Sequence, residues 1–221
     1  GETDWNSEHR VQGSTDVPLN ARGKEQADAL ASYLRTVPLG VVASSALQRA
    51  ATTADAIHAL HPTASRIKIR GFAEMCFGEL EGRRLQEAST RVEYDTVVGA
   101  WDRGATTVRW PGKEGESLDD VADRGLGALR KLGVLPGTAA HARCPRHVCV
   151  VAHGRFNKIL IATLRGDRSR CNAITQGNTC INVLDLDENG RCEVVALNTL
   201  AHLPERLRVA PERKAAVGMS R

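Results

Sequence analysis

Two short β-branched runs, "GVVASS" (40–45) and "RHVCVVAHG" (146–154), pass directly into stretches with helical spacing, "ALQRAATTADAIHAL" (46–60) and "RFNKILIATLRG" (155–166). An apolar strand that feeds a helix, repeated along one chain, is the pattern of a parallel sheet with helical crossovers. The remaining segments agree with it. "SRIKIRG" (65–71) alternates as a strand. Ala27, Leu30, Ala31 and Leu34 have helical spacing behind an Asn20 cap, and "GESLDDVADRGLGALRKLG" (115–133) reads as a helix capped by Ser117 with acids in its first turn. "CINVLDLD" (180–187) and "RCEVVALN" (191–198), joined through Glu188-Asn189-Gly190, read as a hairpin. The sequence therefore predicts a three-layer α/β/α sandwich, a mostly parallel sheet with helices on both faces, in a single domain over residues 1–207. The weakly patterned stretch from Phe72 to Gly115 is expected to cover something, and the polar tail 208–221 to be disordered. One element is missing. The first helix begins near residue 20, yet no strand precedes the loop 1–19, where an alternating fold should have one.

The 221 residues suffice for one sizeable core, and 42% hydrophobic with 25% charged residues excludes a mainly disordered chain. The net charge of +4 is spread among acids without a basic stripe, so no nucleic-acid partner is expected. A Walker-type GKS or GKT is also absent. The six cysteines form no CxxC pair and no zinc-like spacing. In a chain of this length they read as reduced thiols of a cytoplasmic protein, with no metal expected. No apolar run approaches the ~20 residues of a membrane span, so no membrane partner is expected.

Ligands of open α/β sheets bind where strands end at their carboxyl sides. After the first run come Ser44, Ser45 and, a turn on, Arg49. After the second come His153, Gly154 and Arg155. Glu74 follows the "RIKIRG" strand, and the opening loop supplies Asn6, Arg10, Gln12 and Gly13. An arginine fork, a histidine, a carboxylate and a helix start make a reasonable phosphate site. Singly each has a plainer reading: Arg49 as a solvated charge, His153 as a satisfied rim histidine, Glu74 as a surface acid among Glu79 and Glu81.

In order along the chain, "GETDWNSEHRVQGSTDVPLNARG", "SSALQRAATTA", "AEMCFGELEG", "GES", "VVAHG" and the closing "LNTLAHL" resemble the histidine phosphatase superfamily of phosphoglycerate mutases, fructose-2,6-bisphosphatases and small phosphatases. The resemblance implies a two-step phosphoryl transfer through a phosphohistidine, without a cofactor. It assigns phosphoryl binding to Arg49, proton donation or acceptance to Glu74, and stabilisation of the transferring oxygens to His153. Asn6, Gln12, Gly13 and Gly154 would line the phosphate pocket; a part for Arg155 stays open. The segment after Glu74 resembles the phosphatase branch, which implies hydrolysis of a small phosphorylated metabolite. A cofactor-dependent phosphoglycerate mutase and a non-catalytic phosphate-binding module are the alternatives. Arg83, Arg84, Arg91 and Arg103 suit either selection of an acidic substrate or a solvated face.

The chain departs from the family at one place. The superfamily's signature is Arg-His-Gly-Glu at the end of its first strand, with the His as nucleophile, and this sequence begins at the Gly. His9, further along the loop, is no substitute. The expectation is an enzyme truncated in its first, central strand, with the 221-residue chain alone poorly soluble and inactive.

Overall fold

The computed structural model describes residues 1–208; residues 209–221, nearly all of the tail expected to be disordered, lie outside the described residues. The opening loop holds a short helix, α1 (Asp4–Ser7), closed by a capping box in which the Thr3 and Asn6 side chains exchange hydrogen bonds with each other's backbone. Helix α2 (Ala21–Leu34) starts at the expected cap, where Asn20 Oδ1 accepts from the Gly23 amide at 2.8 Å. Then come β1 (Val41–Ser44), α3 (Gln48–Ala59) and β2 (Ser65–Lys68).

One expectation is corrected in the next stretch, and an unpatterned segment gains a helix. The strand expected over 65–71 stops at Lys68, because Arg70–Phe72 turns into a 3₁₀ helix that buries Phe72. The covering segment contains a 15-residue helix, α4 (Ala88–Asp102). Its valines, threonines and Gly99 lower helix propensity and hide the period. Burial of Thr90, Val97 and Trp101 along one face overrides that deficit, and Trp101 Nε1 donates to the Val108 carbonyl at 2.8 Å. Helix α5 (Leu118–Lys131) follows, with Ser117 and Asp120 forming its capping box. Strand β3 (Val148–Val151) leads into α6 (Gly154–Leu164), and β4 (Ile181–Leu186) and β5 (Cys192–Thr199) close the chain.

The three-stranded sheet is parallel, in the order β2-β1-β3, with Val42 opposite Arg66 on one side and Cys149 on the other. Side chains of successive strand residues go to opposite faces. Val41 and Ala43 join a core with Phe72, Trp101, Leu118 and Phe156, whereas Val42 joins Leu30, Ala54 and Ile57. Helices α2 and α3 therefore cover one face, and α4, α5 and α6 serve the other. β4 and β5 form a separate antiparallel pair, as the hairpin reading expected. The hairpin shares both cores with β3. Val148, Val150, Leu184 and Leu186 pack on the first, and Cys149, Val151 and Ile181 on the second. Among the described residues, β3 pairs with β1 only. No helix among them is long and apolar enough to cross a membrane.

Candidate phosphoryl-transfer site

The carboxyl ends of β1 and β3 are neighbours in the sheet, so the segments that follow them start side by side. Arg49 lies in the first turn of α3 and His153 is the N-cap residue of α6; each is only 7% exposed. Arg49 Nε donates to His153 Nδ1 at 3.2 Å. Its Nη1 donates to the Thr15 carbonyl at 2.8 Å and its Nη2 to the Gly13 carbonyl at 2.7 Å. Gln12 completes the shell. With its amide oxygen turned to Arg49, that oxygen accepts from Nη1 at 3.0 Å while the amide nitrogen donates to Thr3 Oγ1 at 2.6 Å. A guanidinium has five N–H groups in a fixed fork. These contacts aim it between loop 12–15 and His153 and leave one Nη2 N–H without a protein acceptor among the described residues.

Because His153 Nδ1 accepts, the ring proton sits on Nε2, and that buried nitrogen has no partner among the described residues. Burial above all, then the positive charges of Arg49, the Gly1 amino group and Arg124, push the His153 pKa well below its ordinary value of 6.5. The imidazole is neutral in the fold and ready to donate through Nε2 to an incoming oxyanion. Burial, and then the same Arg49, lower the Gly1 amino group from 8.0 to about 5, so the first residue lies within the electrostatic reach of this pair. Burial also lowers the Arg49 pKa, against the nearby carboxylates of Glu74, Asp16 and Glu81.

Stability should follow His153. The unfolded chain takes up a proton below 6.5 that the folded site refuses, so stability is full above that pH and is lost as pH falls. With the folded pKa far below, the loss between pH 6.5 and 5.5 is about 1 kcal/mol for this one group. Denaturant unfolding at both pH values, with and without His153→Gln, should show the substitution removing that increment. An unchanged increment would mean the folded ring is protonated.

Glu74 sits elsewhere on the rim. Its Oε1 accepts from the amides of Met75 (2.9 Å) and Phe156 (2.8 Å), and its Oε2 from the Arg155 amide (3.1 Å). A carboxylate from another segment thus occupies the positive end of α6. Arg155, left open by the sequence, gives its backbone to this contact. Its guanidinium turns to the Tyr94 hydroxyl and Asn172 Oδ1, over the Tyr94 ring. Asn6 reaches the group through Thr3, which links it to Gln12, and Gly154 opens α6 next to His153. Asn6, Arg10, Gln12, Phe77, Leu85 and Tyr94 line a cavity of about 170 Å³ beside the Arg49 shell.

Glu81 carries a part the sequence did not announce. Its two oxygens accept from the amides of Ser14, Thr15 and Phe77 and from both loop hydroxyls, at 2.5 to 3.3 Å. That bonding fixes the loop whose carbonyls hold Arg49, and it holds the Glu81 pKa below the usual value despite burial. Gly13 is required there, since a Cβ would fall 2.2 Å from Glu81 Oε1 and 2.6 Å from the Met75 carbonyl oxygen. No periodicity separates Glu81 from a solvated acid. Ser44 and Ser45 are engaged in local bonds, to Arg66 and to the Leu47 amide. Arg83 and Arg91 pair with Glu93 and Asp95 at the surface, away from the Arg49 shell. Among the described residues no group of three or more His, Cys, Asp or Glu could hold a metal.

Comparison with known proteins places the chain in a family. Residues 1–200 match the family described as the histidine phosphatase superfamily, branch 1. The chain is 28% identical to the uncharacterized phosphatase PhoE of Bacillus subtilis over 92% of this chain and 93% of that one. It is 32% identical to phosphoglycerate mutase-like protein 4 of Arabidopsis thaliana over 93% of this chain and 84% of that one. The fold is similar to the structure of a mycobacterial glucosyl-3-phosphoglycerate phosphatase in complex with VO3, with a TM-score of 0.72, 26% identity and coverage of 90% and 94%. The chain belongs to the histidine phosphatase superfamily, branch 1.

Proposed function

We propose that this protein hydrolyses small phosphomonoesters through a phosphohistidine whose histidine is joined to the chain immediately ahead of Gly1. The observation that carries the reading is the pair Arg49–His153 with the unpartnered Nε2 of His153, lying within electrostatic reach of the Gly1 nitrogen. A residue joined there by a peptide bond, which replaces the amino group, would enter the surroundings of the same pair. Among the described residues β3 pairs with β1 only, and that, with the cores it shares with the separate hairpin, supports a further strand between β3 and β4.

In this reading the nucleophilic imidazole attacks phosphorus in line, and the P–O bond to the leaving group breaks. Glu74 gives its proton to the departing oxygen. Water then attacks phosphorus, the P–N bond breaks to restore the imidazole, Glu74 takes a proton from that water, and phosphate leaves. Splitting the transfer avoids direct attack by water on a dianion. Arg49 and the Nε2–H of His153 stabilise the equatorial oxygens, where a loose transition state most needs fixed positive charge.

The test uses the natural gene product with the sequence ahead of Gly1 intact, assayed for phosphate release from a panel of phosphomonoesters and for an acid-labile phosphoenzyme. Both are expected. Dominant transfer between positions of a phosphoglycerate would make it a mutase instead. An upstream sequence without Arg-His would leave a pocket without its nucleophile, and phosphate binding would be the function to measure.

A further inference from the structure

The Gly115-Glu116-Ser117 triplet belongs to the family resemblance, yet neither Arg49 nor His153 contacts it. Ser117 caps α5. Glu116 does something else. It receives Arg124, nearly two helical turns into α5, in a two-point pair, Nε to Oε1 at 2.8 Å and Nη2 to Oε2 at 2.9 Å. The same guanidinium donates to the carbonyls of Gly71 (3.0 Å), Ala73 (2.7 Å) and Glu74 (3.1 Å). Glu116 Oε2 also accepts from the Cys76 amide at 2.9 Å. The pair therefore grips the backbone on both sides of Glu74. Arg124 further stacks over the Phe156 ring, 5.4 Å to its centroid, and the Phe156 amide is one of the donors to Glu74. Close approach of this loop to α5 is built in at Gly71, where a Cβ would lie 2.9 Å from both the Ala128 Cβ and the Arg124 carbonyl oxygen.

We propose that Arg124 and Glu116 are positioning residues for Glu74, holding its carboxyl at the rim for proton transfer to the leaving oxygen. This rests on the reaction proposed above. A planar fork suits the task, because one group must meet a carboxylate and three carbonyls in fixed directions. A lysine cannot span them.

The test compares the natural gene product with Arg124→Met, Arg124→Lys and Glu116→Gln. For an alkyl phosphomonoester, Arg124→Met is expected to lower kcat roughly 30- to 100-fold, the scale of a misplacement near 1 Å. KM and inhibition by inorganic phosphate should stay within about threefold, since Arg49 is untouched. First-turnover release of p-nitrophenolate from p-nitrophenyl phosphate, a step that needs no proton, should slow far less than release of the alkyl alcohol. Arg124→Lys should not restore the alkyl rate. If Arg124→Met does not fold, Glu116→Gln, which keeps an acceptor for the Cys76 amide, carries the test in the same direction. A folded variant with unchanged kcat, or one in which first-turnover release slows equally for both substrates, overturns the proposal. A wild-type protein with no turnover would refute the proposed reaction instead. Hydrogen exchange at the Arg155 and Phe156 amides would then still read the clamp, with faster exchange in Arg124→Met expected and unchanged exchange overturning it.

Discussion

Arg49→Met is expected to lower kcat/KM for phosphomonoesters by roughly 10²- to 10³-fold, the loss that follows removal of a preorganised donor from a developing oxyanion. The reasons lie in how the residue is held. The guanidinium is 7% exposed, and its contacts are to the carbonyls of Gly13 and Thr15, the Gln12 amide and His153 Nδ1. Among the described residues none of these is a carboxylate, so the cation is buried with neutral partners and lowered in pKa by that burial. The carboxylates of Glu74, Asp16 and Glu81 act on it only at a distance, so a phosphoryl dianion would be its directly bonded counter-charge. Methionine fills the same volume without the charge. It relieves the desolvation of a buried cation while leaving two carbonyls without donors, and these effects oppose each other. Thermal unfolding should therefore shift by only a few degrees while activity collapses, and inorganic phosphate should inhibit the variant far more weakly. Arg49→Lys keeps the charge but loses the fork, and should recover only part of the loss. A variant within tenfold of wild type would remove Arg49 from the reaction.

The parts of this molecule that could be read from sequence are those set by local periodicity. β1 and β3 are short apolar runs, and Asn20 and Ser117 cap where the pattern starts. Arg49 and His153 could be placed because each follows a strand end that the parallel register makes adjacent. Helix α4 could not. Its β-branched residues weaken the helical signal, and it persists because Trp101 and Val97 are buried in the core. Glu81, Glu116 and Arg124 were hidden for another reason. Each acts by gripping the backbone of a distant segment, as Glu81 holds loop 14–15 and Arg124 holds residues 71–74. Such contacts leave no spacing in the chain. A motif-based reading finds the groups that would face the ligand and misses the charged groups behind them.

Glu74→Gln separates the two roles that its geometry combines. The side chain accepts three backbone hydrogen bonds, two of them from the first turn of α6, so part of its work is to cap that helix. Glutamine keeps one acceptor oxygen and turns an N–H₂ toward amides that also donate, which weakens the cap without abolishing the packing. A purely structural Glu74 would therefore lower stability and reduce all substrates alike. A proton donor behaves differently. Loss of general acid catalysis is expected to cut kcat for alkyl phosphomonoesters by about 10²- to 10⁴-fold, because an alkoxide cannot leave unprotonated at neutral pH. p-Nitrophenolate leaves without help, so its first-turnover release should slow by less than about tenfold, the portion owed to disturbed positioning, even though later turnovers wait on the water step that Glu74 also serves. The measurement is the ratio of the two leaving-group release rates in the first turnover, in wild type and variant, taken on protein shown to be folded by its cooperative unfolding. A ratio that moves by a hundredfold or more assigns the proton to Glu74. An unchanged ratio would leave Glu74 as the cap of α6 and require the leaving oxygen to find its proton from another group at the rim.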